Sequence, residues 1–415
     1  MLPALATPDS SIDLLREGYT FISRHCDDLG TDGFRTRLRL RPVTCIRGAE
    51  AAGMFYRGDR FTRQGAFPAS IVHLLQDKGS VQALAGEEHR HRKDMFLQSL
   101  QGPDPRDLPQ VFEQQWYAAL DRWVSQRQVV LHTELLEMLT RTGAAWCGIP
   151  LDEQDVQRRS TELGAMVQHA GSFGPPNWWA RTLRRRSERW ARRLVDEVRS
   201  GSLHVPDDGF LSVVATHHDL EGRVLDPGVA AVELLNVLRP IVAVGRFITF
   251  AALALLSNPQ WHEAFSGGDE SDLLGFVQEV RRLYPFFPLI GGRARETFEW
   301  RGHRFGTDDW VLLDLYGTNH DSRVWQDPYA FAPQRFRDWS GDPDTLVPQG
   351  AGEYETGHRC PGEPATIELM AQAVRLLTRG MHYQVPVQDF TVSMRAMPSL
   401  PKDGFIMHEV RAAHS

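Results

Sequence analysis

The stretch "YETGHRCPGEPATIEL", Tyr354–Leu369, sets one cysteine after His358 and Arg359 and before a Pro-Gly turn, with a helix-compatible run from Glu363. Pro364 fits the first turn of such a helix, where its missing N–H has no partner to lose. A thiol near a helix N-terminus, with cationic groups around it, is expected to have a lowered pKa and to favour the sulfur anion. That anion is suited to be a nucleophile or a metal ligand. A nucleophile needs a base held close by; His358 is two positions away, and a flanking residue at that separation often points elsewhere. A thiolate ligand of haem needs open approach to its sulfur and cations for the propionates. The Gly-rich lead "PQGAGEYETG" and the pair His358–Arg359 offer both.

The rest of the chain bounds these readings. Its 415 residues are 42% hydrophobic, and no long Gly/Ser/Pro linker divides them, so a single domain over 1–415 is expected. A net charge of −7 gives no overall bias toward nucleic acid. Residues Met1–Ser10 lack a charged n-region and a long apolar run, which reads as no export signal and a cytoplasmic protein. Cys26, Cys45, Cys147 and Cys360 are scattered, with no second ligand at zinc-site spacing, so neither a disulfide scaffold nor structural zinc is expected. The run "VAAVELLNVLRPIVAVGRFITFAALALL", Val229–Leu256, mimics a membrane span, but Glu233, Arg239 and Arg246 would be costly in lipid. It reads as a long helix buried in the protein centre, with no membrane span.

From Asp107 to Val198 the patterns are mostly helical; "LPQVFEQQWYAALDRWV" has apolar residues at helical spacing. "WWARTLRRRSERWARRLVDEVR" is a basic helix with Trp and Leu on one side, read as a solvated face, with a membrane or partner surface as the alternative. "GDESDLLGFVQEVRRLYP" is a helix closed by Pro285. Thr36–Phe55 reads as a small sheet, "RETFEWRGHRFGTDDWVLLDLYGTNHD" as short strands and turns, and Gln384–Val410 as a Pro-punctuated, strand-like tail. The chain is therefore expected to be mainly α with a minor β part.

The cysteine loop resembles that of the cytochrome P-450 superfamily. Two more stretches match that family in order. One is Glu279-x-x-Arg282 in "FVQEVRRLYP", a spacing that puts both side chains on one helix face. The other is "DPYAFAPQRF", Asp327–Phe336, in which Arg335 would complete a buried Glu279–Arg282 cluster. The resemblance covers about Tyr19 to Val410. It implies a helical bundle around haem b with a small β-rich part, and Cys360 as the axial ligand of the iron.

The central helix departs from the usual family pattern. Where an acid–alcohol pair normally relays protons, this chain reads "NVLRPIVAV", with Arg239 and Pro240. Pro240 removes an N–H and is expected to leave the Asn236 carbonyl without its helical partner, kinking the helix. An arginine in an apolar helix needs an anion, because an unpaired buried charge is costly. That anion is either a protein acid such as Glu233 or the carboxylate of a substrate.

The Arg-Pro arrangement resembles the fatty-acid peroxygenase branch of the superfamily. So do "VQALAGEEHRHRKDMF", "FYRGDRFTRQGAFP", "LLDLYGTNHD", "MPSLPKDGF" and the longer insertion in the cysteine loop. The resemblance implies a long-chain fatty acid as substrate and hydrogen peroxide as oxidant, with no redox partner. Arg239 would anchor the carboxylate so that only the α and β carbons lie over the iron. The carboxylate would act as the acid–base group in breaking the O–O bond, helped by electron donation from the thiolate. Gln82 stands where branch members with histidine lean toward terminal alkenes; glutamine carries no full proton, so hydroxy acids are the expected main products. The alternatives are a decarboxylase and a monooxygenase that needs redox partners. A haem sensor without turnover and a haem-free thiol enzyme are more distant rivals. His89 and Lys93, one helical turn apart, would meet the propionates with Arg63 and His358, and with Arg293 or Arg295. Phe173, Phe287 and Leu289 would line the acyl channel.

Overall fold

The run that mimics a membrane span forms one helix, Pro227–Ser257, in the computed structural model, which describes residues 1–76, 79–101 and 107–413. Asp226 caps its start by accepting from the N–H groups of Gly228 (2.7 Å) and Val229 (3.3 Å), and Pro227 takes the first helical position. The helix is long and apolar enough to cross a membrane, yet 83% of its most apolar window is buried inside the protein. A helix that is apolar all round ends in a core, and this one continues on both sides of Pro240. Helices Leu131–Cys147, Glu153–Gln168, Pro175–Arg199 and Glu363–Arg375 pack around it. Small residues set the closest crossing: a Cβ on Gly245 would lie 3.2 Å from Leu139 Cδ1, and one on Gly143 3.3 Å from Leu238 Cδ2.

The β part lies to one side. Its main sheet runs in the order Gly33–Leu38, Arg41–Arg47, Trp310–Asp314, Leu289–Ala294, Phe61–Thr62, and only the Arg41–Arg47/Trp310–Asp314 pair is parallel. The sheet expected over Thr36–Phe55 stops at Arg47. Ala49–Tyr56, "AEAAGMFY", is a helix instead, because alanine is the strongest helix former and no β-branched residue interrupts the run. The tail is also less regular than expected: strands Met381–Gln384 and Ile406–Ala412 pair antiparallel, and the Pro-rich segment between them is mostly irregular. All four cysteines are free thiols.

The helix Leu273–Leu283 carries the expected ionic cluster. Arg282 donates through Nε and Nη2 to both Glu279 oxygens (2.7 and 2.8 Å). The same carboxylate accepts from Arg335 Nε (3.2 Å) and from the Ala332 N–H (2.9 Å). Arg282 Nη1 reaches the carbonyls of Asn319 and Pro328. Glu279 and Arg282 are fully buried, so the cluster is tolerable only because nearly every donor and acceptor is matched. Removing one partner leaves a buried charge alone: Glu279→Ala or Arg282→Ala is expected to lower stability by about 3–5 kcal/mol, measured by denaturant titration.

Candidate active site

A cavity of about 780 Å³ lies between the central helix and the cysteine loop, and Cys360 lines it. Among the described residues its wall carries Arg39, His89, Lys93, Arg239, His358 and Arg359, and no Asp or Glu. Such a wall calls for anions.

The cysteine loop is fixed by its own backbone. The Cys360 N–H donates to the Gln349 carbonyl (3.0 Å), and the Glu363 N–H to the Cys360 carbonyl (3.3 Å) as the helix Glu363–Arg375 begins. Gly350 has φ 103°, and a Cβ there would lie 3.0 Å from the Tyr56 hydroxyl, so the loop passes Tyr56 only with glycine. The Gln349 side-chain amide lies 3.7 Å from Cys360 Sγ and donates to Thr366 Oγ1 (3.1 Å). Lys93 acts as a clip: its Nζ donates to the carbonyls of Tyr354, Gly357 and Arg359.

The expected lowered pKa of the thiol is overturned. Burial pushes Cys360 up, against the opposing pull of the Gly362 N–H and the Gln349 amide. The cations that were to lower it are spent or absent. Arg359 is paired with Glu363, which also takes Arg281. His358 is held well below its usual value by burial, with Arg63, His89 and Lys93 adding to the effect, and so is neutral. A metal cation on the sulfur is what would hold it as thiolate.

Arg239 and Pro240 lie on the cavity wall with Gln82 and Asn236. Arg239 Nη1 donates to the Leu74 carbonyl (3.3 Å) and Nη2 to Asn236 Oδ1 (3.3 Å). The protein partner considered for it, Glu233, is taken: its carboxylate accepts from the Val81 N–H (2.8 Å), Arg92 Nη1 (3.0 Å) and Asn236 Nδ2 (2.9 Å). Among the described residues no carboxylate lies within salt-bridge distance of Arg239. Burial, then the nearby Arg184, bring its pKa down to about 9, so it stays charged at neutral pH. Gln82 Oε1 accepts from Asn236 Nδ2 (3.2 Å), so one amide links Glu233, Gln82 and Arg239.

Phe173, Phe287 and Leu289 line the cavity as expected of an acyl channel. Val244 and Phe247 line it too and were missed; their spacing from Pro240 along the helix, four and seven residues, was the available signal.

Residues 273–405 match the family model for cytochrome P-450. The structure of cytochrome P-450SP alpha in complex with (R)-ibuprophen superposes with a TM-score of 0.94 at 44% identity, over 98% of this chain and 99% of that one. That of cytochrome P-450EX alpha with myristic acid superposes with a TM-score of 0.95 at 38% identity, over 99% of both. This chain is a cytochrome P-450. Among curated proteins it is similar to rhazimal synthase of Alstonia scholaris, 27% identical over 196 residues, 41% of this chain and 38% of that protein. The chain thus matches less than half the length of the first of its curated relatives.

The cofactor of a cytochrome P-450 is haem b, and the side chains present fit it. A cysteine sulfur faces the cavity from a Gly-rich loop. Along one edge the His89 and His358 rings stack with centroids 3.9 Å apart. Burial, then Lys93, pull His89 down to about 4, so both rings are neutral without a nearby anion. Arg63 is buried behind them, with Nη1 on the Gly291 carbonyl (3.3 Å) and its guanidinium 4.3 Å from the Phe55 ring centre. Arg63 and Lys93 act on these rings as cations, and among the described residues no Asp or Glu lines the cavity wall, which suits two propionates. Lys93 contributes by bracing the cysteine loop rather than as a free donor. Arg293 and Arg295 do not line the cavity: Arg293 donates to the carbonyls of Gly65 and Asp308, and Arg295 pairs with Asp59.

The isolated charge of Arg239 has a measurable consequence. Arg239→Met keeps most of the volume and removes a buried cation that has no carboxylate partner among the described residues. The variant is expected to be more stable than the native chain by about 1 kcal/mol or more in denaturant titration without fatty acid. Added fatty acid should raise the stability of the native chain and leave the variant unchanged.

Proposed function

We propose that this cytochrome P-450 is a peroxygenase that hydroxylates long-chain fatty acids at the α and/or β carbon, with hydrogen peroxide as oxidant and no redox partner. The observation that carries this reading is Arg239, a buried cation on the cavity wall with no carboxylate within salt-bridge distance among the described residues, placed where the usual acid–alcohol pair is missing. That a solved relative, P-450EX alpha, holds myristic acid supports it.

Haem on the Cys360 sulfur supplies peroxide activation and oxygen insertion. The chain's own residues do the rest. Arg239 binds the carboxylate: its contacts with Asn236 and Leu74 use part of its five N–H donors and leave the remainder for a planar, two-pronged acceptor. Pro240 adjoins it on the wall. The anchored carboxylate stands in for the missing relay and moves the proton that peroxide must give up. Anchoring at the head presents the first carbons of the chain and no others. Phe173, Phe287 and Leu289 enclose the acyl chain in apolar surface. His89, His358, Arg63 and Lys93 hold the cofactor edge and the cysteine loop. Gln82, tied to Asn236, is neutral and keeps a second proton carrier away from the anchored head, which favours hydroxylation over loss of carbon dioxide.

With peroxide and myristic acid and no reductase, the enzyme is expected to yield α- and β-hydroxymyristic acids, with terminal alkene minor. Arg239→Ala should lower kcat/KM by on the order of a hundredfold, and full activity in that variant would refute the reading. A need for reductase would favour the partner-dependent monooxygenase. Gln82→His is expected to raise the terminal-alkene share of product, read by mass analysis of the same reaction.

A further inference from the structure

Around the open end of the cavity the surface is apolar and basic at once. Leu15, Arg39 and Phe173 both line the cavity and face solvent. They place its mouth between the helix Ser11–Glu17, the Arg39–Leu40 turn of the first hairpin and the start of the helix Pro175–Arg199. Large apolar side chains stand exposed in all three: Ile12, Leu40 at 76%, Phe173 at 56%, Trp178 at 63%, and Trp179. Arg39 and Leu40 both have positive φ, 53° and 62°, in a two-residue turn where glycine or asparagine is the usual choice. The turn thus carries backbone strain and presents a leucine to solvent.

The helix Pro175–Arg199 adds charge to the same face. It holds eight arginines against three acidic residues, in a protein whose net charge is −7. Trp178 and Trp179 share its exposed side with Arg185 and Arg186, seven residues on. Among the described residues no carboxylate lies within salt-bridge distance of Arg181, Arg185, Arg186 or Arg193, whereas the buried Arg184 has Glu188. The basic side found in the sequence is therefore not consumed by internal pairing.

We propose that this face seats the enzyme on an anionic lipid bilayer, so that fatty acid passes from the membrane into the channel; the proposal rests on the fatty-acid reading of the cavity. Indole rings prefer the interface between water and hydrocarbon. Apolar side chains flanked by arginines are the composition of a surface that lies in that interface, and arginines are drawn to anionic headgroups. Arg239 selects a lipid source over a protein carrier: it demands a free carboxylate, which an acyl thioester on a carrier protein lacks, and free long-chain acids partition into bilayers. Among the described residues the one helix long and apolar enough to span is buried in the core, which fits an enzyme lying on the membrane rather than across it.

The test is co-sedimentation of the haem-loaded enzyme with sucrose-loaded vesicles, either of equal parts phosphatidylglycerol and phosphatidylcholine or of phosphatidylcholine alone. Binding is expected to the anionic vesicles only, and to weaken as salt is raised. Trp178→Ala/Trp179→Ala and Arg185→Glu/Arg186→Glu should each weaken it by about tenfold or more, while hydroxylating a short, water-soluble fatty acid at the native rate. The proposal is overturned by absence of sedimentation, by equal binding to both vesicles, by variants that bind like the native chain, or by capture of an acidic acyl carrier protein in place of vesicles. The two readings fail separately. Hydroxylation of the soluble acid without vesicle binding rejects only the docking, and vesicle binding without any fatty-acid turnover rejects the reading of the channel.

Discussion

The Arg239 guanidinium sits in an apolar helix and meets two neutral acceptors, the Asn236 amide oxygen and the Leu74 carbonyl. The Leu74 carbonyl is shared with a second guanidinium, that of Arg184 (3.2 Å), so the neighbourhood is more positive still. Burial lowers the pKa only to about 9, and the charge persists at neutral pH. The fold therefore retains, on the wall of a largely apolar cavity, a cation with no carboxylate partner among the described residues. Such a group destabilises the empty protein and is stabilised by any carboxylate that reaches it. The same free-energy difference that makes the arginine costly to the fold makes it selective for an acid.

The surrounding network keeps that cation from being neutralised from within. Glu233 lies six residues earlier on the same helix, and it is saturated by the Val81 N–H, Arg92 and Asn236. Burial raises the Glu233 pKa, and the donors from Asn236, Arg92 and Val81 oppose that rise. Residues 233, 236 and 239 recur at intervals of three, so Asn236 neighbours each of the other two along the helix. Asn236 is the middle member: its amide N–H group serves Glu233 and Gln82, and its oxygen serves Arg239. One side chain thus ties Arg239 and Gln82 to each other and to Glu233. Replacing a neutral amide there by a carboxylate would give Arg239 an internal partner and close the site.

What was legible in the sequence was local. The Cys360 loop, the Glu279–Arg282 pair and the Arg-Pro dipeptide of the central helix are short-range patterns, and each occupies the place its spacing implied. The sign of the Cys360 shift was not legible. It is set first by how deeply the thiol is buried and then by Glu363, which also pairs Arg359 and takes Arg281 from a helix about eighty residues earlier, and no local rule gives either. Lys93 was placed near the propionates by its spacing from His89, but its ammonium is committed to carbonyls more than 260 residues away. The helix Ala49–Tyr56 was hidden by the strands before it, where β-type alternation ran into an alanine-rich run.

Charge is distributed along the cavity in a way that sets how a chain is read. Among the described residues the wall has no acid; its basic side chains lie by the cysteine loop, at Arg239 and, with Arg39, at the mouth, and the rest is lined largely by apolar side chains such as Phe173, Phe247, Phe287 and Leu289. A fatty acid can satisfy this arrangement in one direction only, with its head inward, because reversing it would leave the guanidinium against a methyl group and the carboxylate among phenyl rings. Position is therefore counted from the carboxylate. Under the proposed reading, each added methylene extends the tail toward the mouth without moving the first carbons, so the site of oxidation would be fixed by one ion pair while chain length is left to the apolar channel. Affinity grows with the apolar surface buried by the tail, and regiochemistry is set at the other end. Two properties that a wholly apolar pocket would couple are separated here by a single buried charge.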